Sequence, residues 1–136
     1  MFAGWDTTPV QKGTRVIGIS HPAGDLKKIS AGTTRGNGIC YLPDNPDSSV
    51  IYCSEYDQGN YVLLSYDEGM VEGGSSGSGL FDYRTHKLLG TLTGGNASCD
   101  FPKLDIYYGR FDVAWDKGLS TWLGQTTGSC TQSPGD

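Results

Sequence analysis

The apolar residues of this chain come in short runs, and most runs end at a glycine, a proline or a cluster of polar turn residues. That punctuation constrains the fold more than any other feature. A long helix needs an apolar stripe sustained over several turns, and none is present. Runs such as Val16-Ile17, Tyr61-Val62-Leu63-Leu64 and Leu88-Leu89 are instead rich in residues that suit a pleated, half-buried surface. The 21 glycines supply tight turns between them. Many short strands at close spacing specify an all-β chain, either an antiparallel barrel or a sandwich.

In chain order, residues 2–8 read as a short strand and turn, and strands are expected at 15–20, 26–31, 38–42, 50–53, 61–66, 79–82, 87–92 and 107–115. His21-Pro22-Ala23-Gly24-Asp25 must turn, 33–37 reads as loop, and Pro43-Asp44-Asn45-Pro46-Asp47 is a strong turn cluster. The long stretch 67–78 reads as the functional loop, 83–86 as a hairpin tip and 94–103 as a loop. Residues 117–123 form a short amphipathic helical turn. The length suits one domain, assigned to 1–124, with a polar tail at 125–136.

Charge and cysteine usage narrow the function classes. Fifteen acidic residues outnumber ten basic ones, and the basic residues are scattered, so no nucleic-acid surface is expected. No apolar run approaches the roughly 20 residues a membrane span needs. Met1-Phe2-Ala3-Gly4-Trp5 lacks the basic start and apolar centre of a signal peptide. Cys40, Cys53, Cys99 and Cys130 form no Cys-x-x-Cys pair, and His21 and His86 are not spaced with them as zinc ligands, so no metal and no cofactor is expected. An even cysteine count in a loop-rich chain favours disulfides and a secreted, extracellular location. Cys40 with Cys53 is the natural local pair and Cys99 with Cys130 would tie down the tail, but four cysteines allow three connectivities.

The chemistry concentrates in Gly73-Gly74-Ser75-Ser76-Gly77-Ser78-Gly79-Leu80-Phe81. Alone, these nine residues fit a flexible loop between two strands. They also fit a nucleophile turn, in which flanking glycines hold a serine on a sharp bend with its hydroxyl outward. The N–H groups of Gly74 and Ser76 could then converge as an oxyanion hole.

The stretch resembles the Gly-Asp-Ser-Gly-Gly-Pro motif of trypsin-like serine proteases, and more closely the Gly-x-Ser-Gly-Ser-x version of bacterial lysyl endopeptidases. Leu89-Gly90-Thr91-Leu92-Thr93-Gly94-Gly95 resembles the strand lining the substrate cleft in those enzymes, and Asp105-Ile106-Tyr107-Tyr108-Gly109-Arg110-Phe111 resembles the next strand. Gly18-Ile19-Ser20-His21-Pro22-Ala23-Gly24-Asp25 and the closing segment 115–123 also have counterparts. The resemblance covers only the family's second half. It implies the C-terminal β-barrel of a two-barrel fold, closed by a short C-terminal helix.

By that resemblance Ser76 is the nucleophile, and Gly74 with Ser76 supplies the oxyanion hole. Asp105 sits where lysyl endopeptidases place their lysine-recognising aspartate, while Gly94 and Gly95 keep the pocket walls open. Met70 occupies the position of the pocket aspartate of trypsin itself, Ser75 that of the motif's aspartate and Gly79 that of its proline. The family's rival partner for Cys99 lies in an upstream segment absent here.

A serine hydroxyl needs a histidine base and a carboxylate to orient that base. His86 reads as a solvated tip residue and His21 as a structural turn residue. The resemblance places the catalytic histidine and aspartate in the first barrel, so another chain or an upstream segment must supply them. The expected substrate is a peptide or protein with a lysine or arginine before the cut. The alternative is a non-catalytic, protease-derived peptide-binding or interaction module.

Overall fold

Alternation in the short apolar runs turns directly into strands with one face inward. The computed structural model describes residues 3–44, 50–97, 100 and 105–124. Among these, seven strands occur: β1 (Arg15–Ser20), β2 (Lys28–Tyr41), β3 (Tyr52–Glu55), β4 (Tyr61–Glu68), β5 (Gly79–Asp82), β6 (Leu88–Gly95) and β7 (Ile106–Arg110). All their pairings are antiparallel. The order is β1-β5-β6-β7-β4-β2-β3, and β1 also pairs with β2. Six strands therefore close into a barrel, and closure removes the free edges that an open sheet would expose. β3 hangs outside as an extension of β2.

The core follows the two-residue strand period. Val16 of β1, Val62, Leu64 and Tyr66 of β4, Leu80 of β5, Leu89 and Leu92 of β6, and Ile106 and Tyr108 of β7 pack together inside. Gly18 of β1 makes room for the two tyrosines. A Cβ there would lie 2.1 Å from Tyr66 Oη and 2.9 Å from Tyr108 Oη.

Strand β2 corrects the sequence expectation. Separate strands at 26–31 and 38–42 with a loop at 33–37 are replaced by one fourteen-residue strand. The chain bends without breaking, because register shifts occur at Ala31/Gly32 and Thr34/Gly36 and Gly36 adopts φ +124°. Such bulges let one strand change partners along its length. β2 pairs with β1 over Lys28 to Thr33, with β4 over Ala31 to Gly38, and with β3 over Gly38 to Tyr41. The last pairing sets Cys40 opposite Cys53, and these two form a disulfide.

Other boundaries move as well, and β4 runs to Glu68, two residues beyond its expected end. β3 starts at Tyr52 instead of residue 50. β6 runs on to Gly95, because Gly94 and Gly95 pair with Tyr107 and Ile106 across a bulge. β7 ends at Arg110, and the helical segment begins at once with α1 (Phe111–Ala114). Burial of the Arg110 and Asp112 side chains against each other favours that early turn-in. After a wide turn at Trp115–Leu119, interrupted by Gly118 at φ +127°, α2 (Ser120–Leu123) follows. The expected first strand at 2–8 survives as a single bridge from Trp5 to Leu88. The tail at 125–136 and the cysteines Cys99 and Cys130 lie outside the described residues.

Candidate functional site

The loop between β4 and β5, residues 69–78, is held at three places. At its start, Ser30 Oγ–H donates to the Met70 carbonyl at 3.0 Å. Gly69 packs so closely there that a Cβ would lie 2.5 Å from Ser30 Oγ. In the middle, Ala23 N–H donates to the Gly73 carbonyl at 2.8 Å. At the end, Gly77 N–H donates to the Leu92 carbonyl and Leu92 N–H to the Ser78 carbonyl, both at 2.8 Å. A stretch of glycine and serine would be mobile if left alone. Here β2, the turn after β1, and β6 each fix part of it.

Within the loop, two tight turns follow one another, 72–75 and then 75–78, and Ser76 lies inside the second. Ser75 N–H donates to the Glu72 carbonyl at 3.1 Å and Ser78 N–H to the Ser75 carbonyl at 3.1 Å. Gly74 and Gly77 take φ of +94° and +82°, values that glycine adopts at little cost. The Ser76 side chain is exposed, whereas Ser75 is buried and its Oγ has no partner among the described residues. The amides of Gly74 and Ser76 also have no acceptor among the described residues. Two donors without acceptors, two residues apart and one of them on the residue with the exposed hydroxyl, are groups that can bind an anion.

A cavity of about 200 Å³ opens next to this turn. Val71, Glu72 and Gly73 of the loop line it together with Ser76, and Leu92, Gly94, Gly95 and Ala97 complete the wall. Ser76, Gly94 and Gly95 thus share one cavity, and Gly74 sits between two of its lining residues in sequence. Glu72, which sequence reasoning passed over, contributes the one carboxylate among the described lining residues. Its signal was its place two residues before Gly74, on the loop already singled out.

Asp105 is placed differently. Its carboxylate pairs with the Arg35 guanidinium of β2, and it is not among the described lining residues of the cavity. Arg35 reaches a second carboxylate, Glu55, at 3.8 Å, and Glu55 also pairs with Lys12 at 3.3 Å. The Asp105 carbonyl accepts from Asn96 N–H at 2.9 Å, which keeps the end of β6 and the start of β7 together.

Neither histidine reaches the serine by a hydrogen bond among the described residues. The exposed His21 ring donates from Nδ1 to the Asp25 carbonyl at 3.1 Å, within its own turn. His86, at the β5–β6 tip with φ +58°, is exposed, and its backbone N–H bonds the Asp82 carbonyl. No group of three or more metal-ligating side chains occurs among the described residues, and no described helix is long and apolar enough to cross a membrane.

A sequence profile described as the lysyl endopeptidase C-terminal domain matches residues 1–109. A lysyl endopeptidase from Pseudomonas aeruginosa is 34% identical over 106 residues, covering 74% of this chain and 20% of that protein. Among solved structures, the active form of a protease from M. tuberculosis superposes with a TM-score of 0.56 at 22% identity, covering 96% of this chain and 53% of that one. Kallikrein-related peptidase 10 superposes with a TM-score of 0.59 at 14% identity, covering 90% of this chain and 56% of that one. The chain therefore spans about a fifth of the curated relative and about half of these two structures. At such low identity the structural likeness establishes the fold alone.

Proposed function

Since the chain belongs to the lysyl endopeptidase C-terminal domain family, we propose that it forms the C-terminal barrel of a secreted serine endopeptidase that cleaves after lysine or arginine. Ser76 is the nucleophile. Its Oγ attacks the scissile carbonyl carbon as a histidine takes its proton, and the carbonyl oxygen becomes an oxyanion. The amides of Gly74 and Ser76 stabilise that charge. Collapse expels the amine, which takes the proton from the histidine, and water then releases the acyl group from Ser76. The histidine and its orienting aspartate come from outside residues 1–136.

The observation that carries this reading is the pair of acceptor-free amides at Gly74 and Ser76, together with the cavity that Ser76 lines. Asp105 is proposed as the selector of the basic side chain. Its carboxylate already binds a guanidinium, that of Arg35, and Glu72 adds negative charge to the cavity lining. The Cys40–Cys53 disulfide supports an oxidising, extracellular compartment.

The test is intact-mass analysis after exposure to a fluorophosphonate probe. The complete protein should gain one probe adduct and Ser76→Ala none, while residues 1–136 alone should remain unlabelled. Equal labelling of the Ser76→Ala variant would sink the nucleophile assignment. Strong labelling of residues 1–136 alone would sink the claim of an outside base. Binding of lysyl peptides without labelling of the complete protein would favour a non-catalytic module.

A further inference from the structure

The oxyanion donors need an orientation as well as a position. The peptide joining Gly73 to Gly74 is planar, and in its trans form the carbonyl and the N–H point in opposite directions. Whatever fixes the Gly73 carbonyl therefore also aims the Gly74 amide. That carbonyl accepts a 2.8 Å hydrogen bond from Ala23 N–H, in the turn between β1 and β2. We propose that this turn, through Ala23, is the positioning element that keeps the Gly74 N–H directed at the substrate oxygen. The proposal rests on the protease reading of Ser76.

Three features of the turn fit that task. Ala23 takes φ +54° and ψ +23°, a left-handed conformation that residues with a Cβ seldom adopt. The turn is braced from within: Pro22 is buried and fixes its own φ, Gly24 N–H donates to the His21 carbonyl at 3.2 Å, and Asp25 N–H donates to the Pro22 carbonyl at 3.0 Å. The same turn also closes over Gly74, where a Cβ would lie 3.3 Å from the His21 carbonyl oxygen and 3.4 Å from Gly24 N. A flip of the 73–74 peptide would break the Ala23 bond and turn a carbonyl oxygen, instead of an N–H, toward the oxyanion. The loop's own glycines do not prevent such a flip. The turn does.

The experiment compares three changes at residue 23 in the complete protease. Ala23→Pro removes the donor and, because proline cannot adopt φ +54°, displaces the turn as well, so it is expected to lower kcat about 10²–10³-fold, the loss seen when one oxyanion donor is removed, with KM nearly unchanged. Ala23→Gly keeps the N–H and accepts the left-handed φ, so it should restore kcat. Replacing Ala23 by lactate, which turns one amide into an ester, removes the donor while leaving the side chain. Hydrogen-exchange protection at Val62 and Tyr108 reports whether the barrel is intact. Wild-type kcat in an intact Ala23→Pro protein would overturn the proposal. If Ala23→Pro does not fold, the lactate variant decides, and wild-type kcat there overturns it equally. Failure of the protease reading shows separately, as turnover that survives Ser76→Ala.

Discussion

The hydroxyls of Tyr66 and Tyr108 lie 2.5 Å apart in the barrel interior, sealed beneath Gly18. β4 and β7 each contribute one of them, so the contact ties two neighbouring strands through their inward faces. Burial, and then the other hydroxyl close by, pushes the Tyr66 group well above the ordinary tyrosine range. Burial pushes Tyr108 up to about 12, with the nearby hydroxyls of Tyr66 and Ser78 offsetting part of the rise.

The sign of the pH effect follows. An unfolded tyrosine releases its proton near pH 10, while the folded pair holds its protons beyond that. The native state therefore binds more protons above about pH 10, and stability should be intact below that point and fall as pH rises. Urea unfolding across this alkaline range should show a steep loss for the wild type. The double variant Tyr66→Phe/Tyr108→Phe should show a shallower one. Equal slopes would remove the pair from the account.

Gly18 offers a test of the same contact from the opposite wall. A methyl group there meets two hydroxyls that cannot move without disturbing β4 and β7. Gly18→Ala should cost about 1–3 kcal/mol by overpacking. Adding Tyr66→Phe removes the nearest atom, 2.1 Å from the added Cβ, and should recover part of that loss. Thermal unfolding of the single and double variants measures the coupling. Strict additivity would mean that the strain is taken up elsewhere.

How far the sequence could be read follows from the range over which each signal acts. The runs at 15–20, 61–66 and 79–82 became strands because alternation and bounding turn residues are local. The Cys40–Cys53 pair was legible because a hairpin brings near neighbours together. The continuity of β2 was not legible, since Gly32 and Gly36 read locally as breakers. Their role is to absorb bulges imposed by β4, about 30 residues away. The loop glycines marked Ser76 and its neighbours. The pairing of Asp105 with Arg35 spans 70 residues, and no local pattern announces it. The grip of Ala23 on Gly73 was hidden for the same reason, because it joins two loops that touch only after the barrel closes.

The Arg35–Asp105 pair makes a prediction about selectivity. If Asp105 selects the substrate's basic side chain as proposed, Arg35 competes with that side chain for the carboxylate, so Arg35→Gln should raise kcat/KM for lysyl substrates in the complete protease. Both side chains are partly exposed, at 43% and 25%, which limits the pair to about 0.2–1 kcal/mol. The gain should therefore be modest, about 1.5- to 5-fold. Asp105→Asn should lower kcat/KM for the same substrates. If neither change alters the preference for lysine, Asp105 does not select the substrate, and Glu72 in the cavity wall becomes the group to vary next.

Arg110 and Asp112 test how the end of β7 is fixed. Both side chains are 7% exposed. Arg110 donates from Nε to Asp112 Oδ1 at 3.0 Å and from Nη2 to Oδ2 at 2.5 Å, a two-pronged pair with matched geometry. Its Nη1 also donates to the carbonyls of Gly59 at 2.8 Å and Asp57 at 3.2 Å, which joins the start of α1 to the loop before β4. Removing one partner strands the other charge in a dry site. Asp112→Ala should therefore cost about 3–5 kcal/mol. The joint replacement Arg110→Met/Asp112→Leu leaves no charge behind and should cost far less, although the Gly59 and Asp57 carbonyls lose a donor. Denaturant unfolding of the single and double variants decides. If the double variant loses as much as Asp112→Ala, the main contribution of Arg110 is its grip on the 57–59 carbonyls, and the ion pair is secondary.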